Sequence, residues 1–392
     1  MSIEQNKSQK FKEAAQKYFD KFIWYYKKYF SWIYLVYNED EENYIPKRIT
    51  FLGAKDNIEK IQVILKLINI KDNKQGYNIL KEPYFLACLK KNRYFAEIVD
   101  LFPSKDSKDF KFFNIILRNE GSDLNSFIIY YKYVLKIDYN NLFENISRHI
   151  IFQVVCGLKI LHEKGLSHNN IKPQNIVISG THKAKICDLG STDIINTVSN
   201  IGTLGYYSPQ AMAGKKRTAE DDMYAVGIVF LELLNVEIGI FLEDIPIDDE
   251  RKQLLHVINK FYDVEYKIYN ENTIDNAIYN SILKDKYDDI KFKLKENIFR
   301  QNENEENKKL IKNLLEIDPS KRMKAEEVIN LPLFKDLHYE FENNNTDMKY
   351  CNEDYEKYFK KQKEYKEDVL KDFIEDIREK FIGKTLFDEN PY

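Results

Sequence analysis

Cysteine is scarce in this chain, with four residues in 392, and no two of them are spaced as C-x-x-C. Such scattered cysteines argue against a disulfide framework or a zinc site, and they are typical of reduced thiols in an intracellular protein. An excess of either charge is also lacking, since the formal net charge is −3. This balance gives no reason to expect nucleic acid or an anionic membrane surface as the main partner.

Long apolar runs and a secretory signal are lacking as well. The aromatic stretch at residues 22–37 is interrupted by Lys27 and Lys28, and it is too short to span a bilayer. The N-terminus is polar and charged, so we expect no signal peptide and a cytoplasmic location. What the chain does have is 43% hydrophobic residues over 392 positions. This content supports a sizeable core in a chain of this length.

Two short segments in the middle of the chain carry groups that suit a nucleotide phosphate and a magnesium ion. Residues 167–175 read S-H-N-N-I-K-P-Q-N, and residues 188–190 read D-L-G. The ammonium group of Lys172 can offset the charge of a phosphate. The amide oxygen of Asn175 and the carboxylate of Asp188 are hard oxygen ligands of the kind that magnesium prefers.

These segments resemble the eukaryotic protein kinase family. The family's catalytic loop reads H-R-D-x-K-P-x-N in the Ser/Thr branch, and its metal-binding motif reads D-F-G. Three further motifs follow in the family's order: the end of an activation segment, a D-x-W-x-x-G helix start, and a D-P-x-x-R near the end of the domain. They correspond to residues 202–210 (G-T-L-G-Y-Y-S-P-Q), 222–227 (D-M-Y-A-V-G) and 318–323 (D-P-S-K-R-M).

The resemblance implies an α+β fold with two lobes, a small β-rich N-lobe and a larger, mainly helical C-lobe. The implied boundaries are residues 48–117 for the N-lobe, 118–123 for the hinge and 124–335 for the C-lobe. Residues 1–47 and 336–392 would then form an N-terminal helical extension and a charged helical C-terminal extension.

Both extensions show a helical stripe of apolar residues. In the first, the apolar positions recur at alternating steps of four and three, which is typical of a helix with one packed seam. This helix either packs on its own domain or contacts a protein partner. Its stripe comprises Phe11, Ala15, Tyr18, Phe22, Tyr25, Tyr29, Trp32 and Val36. The stripe of the second comprises Val369, Leu370, Phe373, Ile374, Ile377 and Phe381.

The N-lobe part of the resemblance assigns three more residues. Residues 62–67 alternate like a strand and match V-A-I-K, with Lys66 as the lysine that contacts the α- and β-phosphates of ATP. Glu82 stands where the family keeps the glutamate that holds this lysine, and the first turn of a helix tolerates the adjacent Pro83. Gly53 is the one glycine that remains of the G-x-G-x-x-G phosphate loop. The resemblance thus implies ATP and magnesium in the cleft between the lobes.

One position departs from the family in a way that bears directly on catalysis. Asn170 replaces the aspartate that orients the substrate hydroxyl and accepts its proton. An amide carries no negative charge, although its oxygen can still accept a hydrogen bond. Because general-base catalysis contributes about 10²–10⁴-fold, we expect phosphotransfer to be weak or lost, while Lys172 remains to stabilise the transferring group.

Two other departures concern the surroundings of the site. Asn169 replaces the arginine that reads a phosphorylated activation segment, which argues against control by that route. Gln210 replaces a glutamate whose usual partner corresponds to Arg322. The ion pair would become a hydrogen bond to a neutral amide, and we expect a cation that is poorly compensated unless another acid reaches it.

Three functions stay open at this point. The first is a pseudokinase that binds ATP and magnesium and acts on a protein partner through conformation or scaffolding. The second is an active Ser/Thr protein kinase that transfers the γ-phosphate of ATP to protein hydroxyls, which the Lys172-Pro173 pair favours over tyrosine. The third is a structural assembly component that uses the fold without nucleotide.

Overall fold

The structure is a computed structural model of the chain. It describes residues 32–33, 48–52, 63–69, 80–106, 109–131, 141–198, 202–234, 249–266, 274–300, 303–338, 348–350, 352–360 and 367–382. By contact, the chain divides into two compact units. One contains the described residues of 1–92, 96–120 and 348–392, and the other contains those of 93–95 and 121–347.

The first unit is rich in strands and is built on a five-stranded antiparallel sheet with the order β1-β2-β3-β5-β4. Branched and aromatic residues dominate the central strands, as their position between two neighbours favours. Helix α1 (Lys81–Cys88) contacts β4. The strands are β1 (Trp32–Ile33), β2 (Arg48–Leu52), β3 (Val63–Asn69), β4 (Ile98–Asp106) and β5 (Asp109–Arg118).

The second unit is mainly helical, and its core is organised around α5, in which residues 221–234 are all buried. This helix contacts both α3 and α8. The helices are α2 (Leu124–Ile129), α3 (Asn141–Glu163), α4 (Pro209–Met212), α5 (Ala219–Leu234), α6 (Glu250–Phe261), α7 (Ile274–Leu283), α8 (Glu305–Leu314) and α9 (Ala325–Ile329).

The strands of the second unit are short and form one three-stranded sheet, β6-β8-β9, and two ribbons, β7-β10 and β11-β12. Their bounds are β6 (Ser122–Asp123), β7 (Leu166–Ser167), β8 (Ile176–Ile178), β9 (Ala184–Ile186), β10 (Asp193–Ile194), β11 (Tyr262–Tyr266) and β12 (Ile290–Leu294). Single turns of 3₁₀ helix at Pro173–Asn175, Leu189–Ser191 and Leu204–Tyr206 adjoin the predicted site.

Gly121 stands where the chain passes into the second unit. Its φ angle is +135°, a conformation that favours glycine, and a Cβ atom there would lie 2.1 Å from the carbonyl oxygen of Ile178. The absence of a side chain thus allows β6 to pair closely with β8.

The C-terminal segment, which we define as residues 348–350, 352–360 and 367–382, belongs by contact to the strand-rich unit. It contains α10 (Asn352–Tyr355), a π turn at Glu356–Lys360, α11 (Glu367–Ile377) and a second π turn at Arg378–Ile382. Phe373, Ile374 and Ile377 of the predicted apolar stripe are buried. The side chains of Val369 and Leu370 lie outside the described residues.

The predicted α+β fold, with a β-rich part and a mainly helical part, is confirmed. The helical stripe predicted for the N-terminus is wrong at Trp32, which lies in β1 opposite Leu52 of β2. Aromatic and β-branched residues such as Trp32 and Ile33 suit a strand, so the available edge of β2 prevails over the helical spacing. The other members of that stripe lie outside the described residues.

Close packing of α5 on the end of α8 generates a testable prediction. A Cβ atom at Gly227 would lie 2.7 Å from Leu315 Cδ2 and 2.9 Å from Leu314 Cβ. Overpacking costs about 1–3 kcal/mol, against about 1 kcal/mol gained in helix propensity. We therefore expect Gly227→Ala to lower the free energy of unfolding measured in urea.

The matched control is Gly180→Ala, because no atom lies within 4 Å of a Cβ at that position. The control should stay within about 0.5 kcal/mol of the parent chain. Equal stability of the Gly227→Ala variant and the control would contradict the close approach of the two helices.

Candidate active site

Lys66 and Glu82 form an ion pair within the strand-rich unit. The register of the sheet places Lys66 in β3 between Arg48 of β2 and Ile115 of β5. Glu82 lies in the first turn of α1, where Pro83 is tolerated because the first amides of a helix have no intrahelical acceptor. The side chain of Glu82 is 5% exposed and that of Lys66 17%. Lys66 is thus a largely buried, paired lysine and not a strand residue that points to solvent.

Gly53, the remaining glycine of the predicted phosphate loop, lies outside the described residues. The described residues on either side of it are Leu52, at the end of β2, and Val63, at the start of β3.

The β8-β9 hairpin brings the two predicted metal ligands to one of its ends. Ile176 pairs with Ile186, so Asn175, just before β8, and Asp188, two residues after β9, lie at the same end of the hairpin. The backbone amide of Cys187 donates to the carbonyl oxygen of Asn175 at 2.9 Å, which fixes this juxtaposition. Asp188 adopts a left-handed conformation with φ +60°, which an aspartate tolerates better than most residues.

The orientation of the Asn175 amide suits a cation. Its Nδ2 atom donates to the carbonyl oxygen of Asn170 at 2.8 Å, and its Oδ1 atom is therefore on the other side of the carboxamide. An amide oxygen beside a carboxylate fits the ligand set of magnesium, which completes its octahedron with phosphate and water oxygens. The donor set of Asn175 and Asp188 thus fits a magnesium ion.

Asp222 holds the backbone of the loop that carries these residues. Its carboxylate accepts hydrogen bonds from the amides of His168 at 2.7 Å and Asn169 at 2.8 Å, and it contacts Nε2 of His162 at 3.0 Å. Burial alone would raise the pKa of Asp222, but these partners outweigh it and keep the pKa below its ordinary value. Asn169 is left-handed with φ +65°, and its Nδ2 atom donates to the carbonyl oxygen of Ser191 at 3.0 Å.

His168 is a neutral structural histidine. It is fully buried, and burial lowers the pKa of its imidazole. Its Nδ1 atom faces the amide of Asn170 at 3.2 Å, and its Nε2 atom lies 3.3 Å from the carbonyl oxygen of Cys187. Only the tautomer with the proton on Nε2 satisfies both contacts. His168 therefore connects the loop to the residue before Asp188 and is not available as a base.

Asn170 belongs to a chain of hydrogen bonds with Thr203 and Lys172. The Nζ atom of Lys172 lies 2.8 Å from Oγ1 of Thr203, and that oxygen lies 3.0 Å from Oδ1 of Asn170. An ammonium group can only donate, so the hydroxyl of Thr203 accepts from Lys172 and gives its own proton to Asn170. This assignment makes the oxygen of the Asn170 carboxamide the atom that Thr203 engages.

A sequence model of the protein kinase domain matches residues 51–334. The chain belongs to the protein kinase family. This assignment confirms the resemblance that the motifs carry. Protein kinases normally use ATP and magnesium.

Three similar proteins illustrate the relationship. Extracellular signal-regulated kinase 1 of Dictyostelium discoideum is 25% identical over 300 residues, which cover 73% of this chain and 52% of that protein. The probable serine/threonine-protein kinase PknB of Lactococcus lactis is 28% identical over 149 residues, 36% of this chain and 22% of that protein. The probable inactive leucine-rich repeat receptor kinase XIAO of Oryza sativa is 35% identical over 102 residues, 22% of this chain and 9% of that protein.

This chain thus spans about half or less of the length of these relatives. Within the described ranges of the chain, no helix is both long enough and apolar enough to cross a membrane.

Among the described residues of the kinase domain, carbonyl groups and no carboxylate compensate the buried cation of Arg322. The predicted hydrogen bond to Gln210 is present at 3.0 Å. Further donor bonds go to the carbonyl oxygens of Glu316 and Glu220, both at 2.9 Å, and the guanidinium lies 5.1 Å from the ring centroid of Tyr224. The expected shortfall in compensation is therefore wrong, because main-chain dipoles that the sequence does not reveal surround the cation.

One buried carboxyl group near the activation segment of this kinase domain belongs to none of the family's motifs. Glu232 lies on α5 and accepts a hydrogen bond from the hydroxyl of Tyr206 at 2.9 Å. Burial raises the pKa of Glu232 to about 7, and the hydrogen bond from Tyr206 only partly opposes this. A signal did exist, because Glu232 interrupts the apolar run at residues 228–234. A charged residue on a buried helix face indicates a polar partner.

The raised pKa of Glu232 predicts a pH-dependent stability. The unfolded chain loses this proton near the ordinary value of 4.5, whereas the folded chain keeps it up to about pH 7. The free energy of unfolding therefore falls as pH rises through this window. Glu232→Gln cannot ionise, so its stability should exceed that of the parent by an amount that grows to roughly 3 kcal/mol above pH 7, at about 1.4 kcal/mol per pKa unit.

Urea titrations at several pH values between 4.5 and 8 check this expectation. The control is Glu326→Gln on the surface, where the hydrogen bond from Lys159 lowers the pKa of the carboxyl group. That variant should change little and in the opposite direction. A difference between Glu232→Gln and the parent that does not vary with pH would contradict the assignment.

Proposed function

We propose that this kinase domain binds ATP together with magnesium and transfers phosphate weakly or not at all, so that it acts on a protein partner through conformation. The observation that carries the proposal is the chain Lys172–Thr203–Asn170. It retains the hydrogen bonds that a kinase catalytic loop needs while the one group that would accept a proton is neutral.

The binding half of the proposal rests on charge. Lys66 is held by Glu82 within its own unit, which keeps the ammonium group extended and ready for phosphate oxygens. Asn175 and Asp188 offer the oxygens that suit magnesium, and magnesium supplies neutralisation of phosphate charge when bound. These four residues perform positioning and electrostatic tasks, which are most of what phosphoryl transfer asks of a protein.

The transfer half rests on the Asn170 carboxamide. Thr203 donates to its oxygen, which keeps a second lone pair, and its Nδ2 atom is an N–H donor. A neutral amide is too weak a base to take the proton of a substrate hydroxyl, although its N–H can contact an anionic phosphate oxygen. The carboxamide of Asn170 can therefore contact a bound nucleotide, but it cannot take up the proton that phosphotransfer releases.

An active Ser/Thr kinase remains the second candidate, because Lys172 and Thr203 keep the loop geometry. In that case the substrate hydroxyl would have to lose its proton without a carboxylate. A structural role without nucleotide is the third candidate, and nucleotide binding distinguishes it from the other two.

Nucleotide binding should be visible as a thermal shift. Saturating ATP with magnesium is expected to raise Tm, because a ligand at about 100 times its Kd contributes about 2.7 kcal/mol of stability. Lys66→Met and Asp188→Asn should each reduce that shift, since each removes a charge that faces the nucleotide. Differential scanning fluorimetry with and without nucleotide measures it.

The quantity to compare is the shift and not Tm itself, because Lys66→Met also leaves Glu82 buried without its cation. Lys159→Met is the matched control, since Lys159 is ion-paired with Glu163 and Glu326 on the helical unit. It should keep the full shift. A parent chain that shows no shift at any nucleotide concentration would remove the proposal and favour the structural role.

Restoring the carboxylate should restore phosphotransfer. Asn170→Asp preserves size and lets Thr203 donate to an anionic oxygen at the same place. We expect the rate of γ-phosphate transfer to a mixture of Ser and Thr peptides to rise by about 10²-fold or more. Labelled ATP measures the product.

Two variants make the result interpretable. Asn170→Ala, which removes the carboxamide, should stay at the level of the parent, and Asn170→Asp combined with Asp188→Asn should fall back to it. A parent chain that already works within the usual kinase range of about 1–100 s⁻¹ would establish the active kinase instead.

A further inference from the structure

Helix α1 carries Glu82 and has little means of holding its own position. It spans eight residues, and the residue before its first turn, Leu80, makes no side-chain capping bond within the described part of the chain. Isolated helices of this length are not stable in water. All eight residues are nevertheless buried. The position of α1, and with it that of Glu82, must therefore come from what packs against it.

The C-terminal segment packs against this helix with a set of aromatic rings. Tyr84 forms edge contacts with Tyr350, Phe359 and Phe381, at centroid distances of 6.4, 5.5 and 6.4 Å. Its neighbour Phe85 contacts Tyr350 at 6.1 Å and also contacts Tyr355. Aromatic pairs of this geometry contribute beyond the area they bury. The segment thus meets α1 at the two residues that follow Pro83.

The contacts of Tyr84 lie on the side of α1 that faces away from the ion pair. Successive helix residues advance by about 100°, so Tyr84 lies about 200° around the helix from Glu82. Glu82 meets Lys66 on one face while Tyr84 meets the C-terminal rings on the other. Through Tyr84, the C-terminal segment therefore supports α1 from the side opposite the Lys66–Glu82 pair.

Polar contacts anchor both ends of the segment to the same unit. The amide of Lys349 donates to the carbonyl oxygen of Cys88 at 3.0 Å, which satisfies the end of α1. At the other end, Lys90 donates to the carbonyl oxygen of Ile382. Arg378 lies 3.2 Å from the carboxylate of Asp100 on β4, and Asp100 is 1% exposed. A buried carboxylate of this kind needs a cationic or hydrogen-bonding partner.

The segment is also linked internally. Lys357 pairs with Asp376 at 2.8 Å, and Lys380 pairs with Asp354 at 2.9 Å. These pairs join the part around α10 to the part around α11, so the rings of both parts reach α1 together.

We propose that the C-terminal segment is a positioning element for the nucleotide site, which holds α1 so that Glu82 keeps Lys66 extended. Tyr350, Phe359, Phe381 and Arg378 are its positioning residues. When the segment is released from α1, the Lys66–Glu82 pair opens and affinity for ATP with magnesium falls. This inference rests on the proposed nucleotide binding, and it gives the C-terminal segment an indirect role in that binding.

The test uses the full chain and two single variants. Phe359→Ala removes a ring from α1, and Arg378→Gln removes the cation beside Asp100. Each should raise the Kd for ATP with magnesium by roughly tenfold, within the ~5–150-fold of typical couplings, as measured by titration calorimetry well below Tm. Phe359→Leu and Arg378→Lys should recover most of the affinity.

The matched control is Phe334→Ala, which deletes a fully buried ring from the helical unit. It should lower Tm without changing the Kd. A merely structural role for Phe359 predicts that Phe359→Ala behaves like this control, and an unchanged Kd in both positioning variants would overturn the inference.

Hydrogen exchange at the amides of residues 85–89 supplies a readout that needs no nucleotide. These amides should exchange faster in Phe359→Ala and Arg378→Gln than in the parent and in Phe334→Ala. If the parent binds no nucleotide, the proposed function fails, and this exchange alone decides whether the segment holds α1: acceleration supports it, and unchanged protection overturns it.

Discussion

A buried carboxylate, that of Asp222, holds the loop on which the candidate site depends. It accepts hydrogen bonds from two consecutive backbone amides, those of His168 and Asn169, and it contacts His162. Two consecutive amides that converge on one carboxylate require an unusual backbone, and Asn169 meets the requirement with a left-handed conformation. From this point the chain passes through Asn170 and Lys172 to Asn175. Asp222 on α5 thus fixes the backbone from which the loop to Asn170 and Lys172 begins.

Within that frame, an amide twice replaces a carboxylate without loss of hydrogen bonding. Asn170 still accepts from Thr203, and Gln210 still accepts from Arg322. Each replacement removes charge and keeps shape. At Gln210 the effect is structural and the surrounding carbonyl groups absorb it. At Asn170 the proposed effect is chemical, because a neutral amide cannot take a proton from a substrate hydroxyl. Similar substitutions therefore have different consequences, according to whether the lost charge had a structural or a catalytic task.

The strand-rich unit shows how residues far apart along the chain combine in one task. Lys66 and Glu82 form the ion pair that we propose for phosphate binding, and the C-terminal segment packs against the helix that carries Glu82. A helix as short as α1 is stable only because neighbouring elements pack against it. The aromatic residues of the C-terminal segment belong to none of the kinase motifs above. Their contacts with Tyr84 and Phe85 show which part of the unit they stabilise.

Much of this protein was predictable from local sequence. The strand around Lys66 and the first-turn position of Glu82 follow from short patterns whose physics is local. The neutral amide at Asn170 is likewise a property of the sequence alone. Other features follow only from tertiary structure. Trp32 joins a strand because an edge of β2 is available, Arg322 is compensated in part by the carbonyl group of Glu220, and burial raises the pKa of Glu232 to about 7. Residue identity determines which chemistry is possible, whereas burial and long-range contact decide which charges are paired and which helix is held in place.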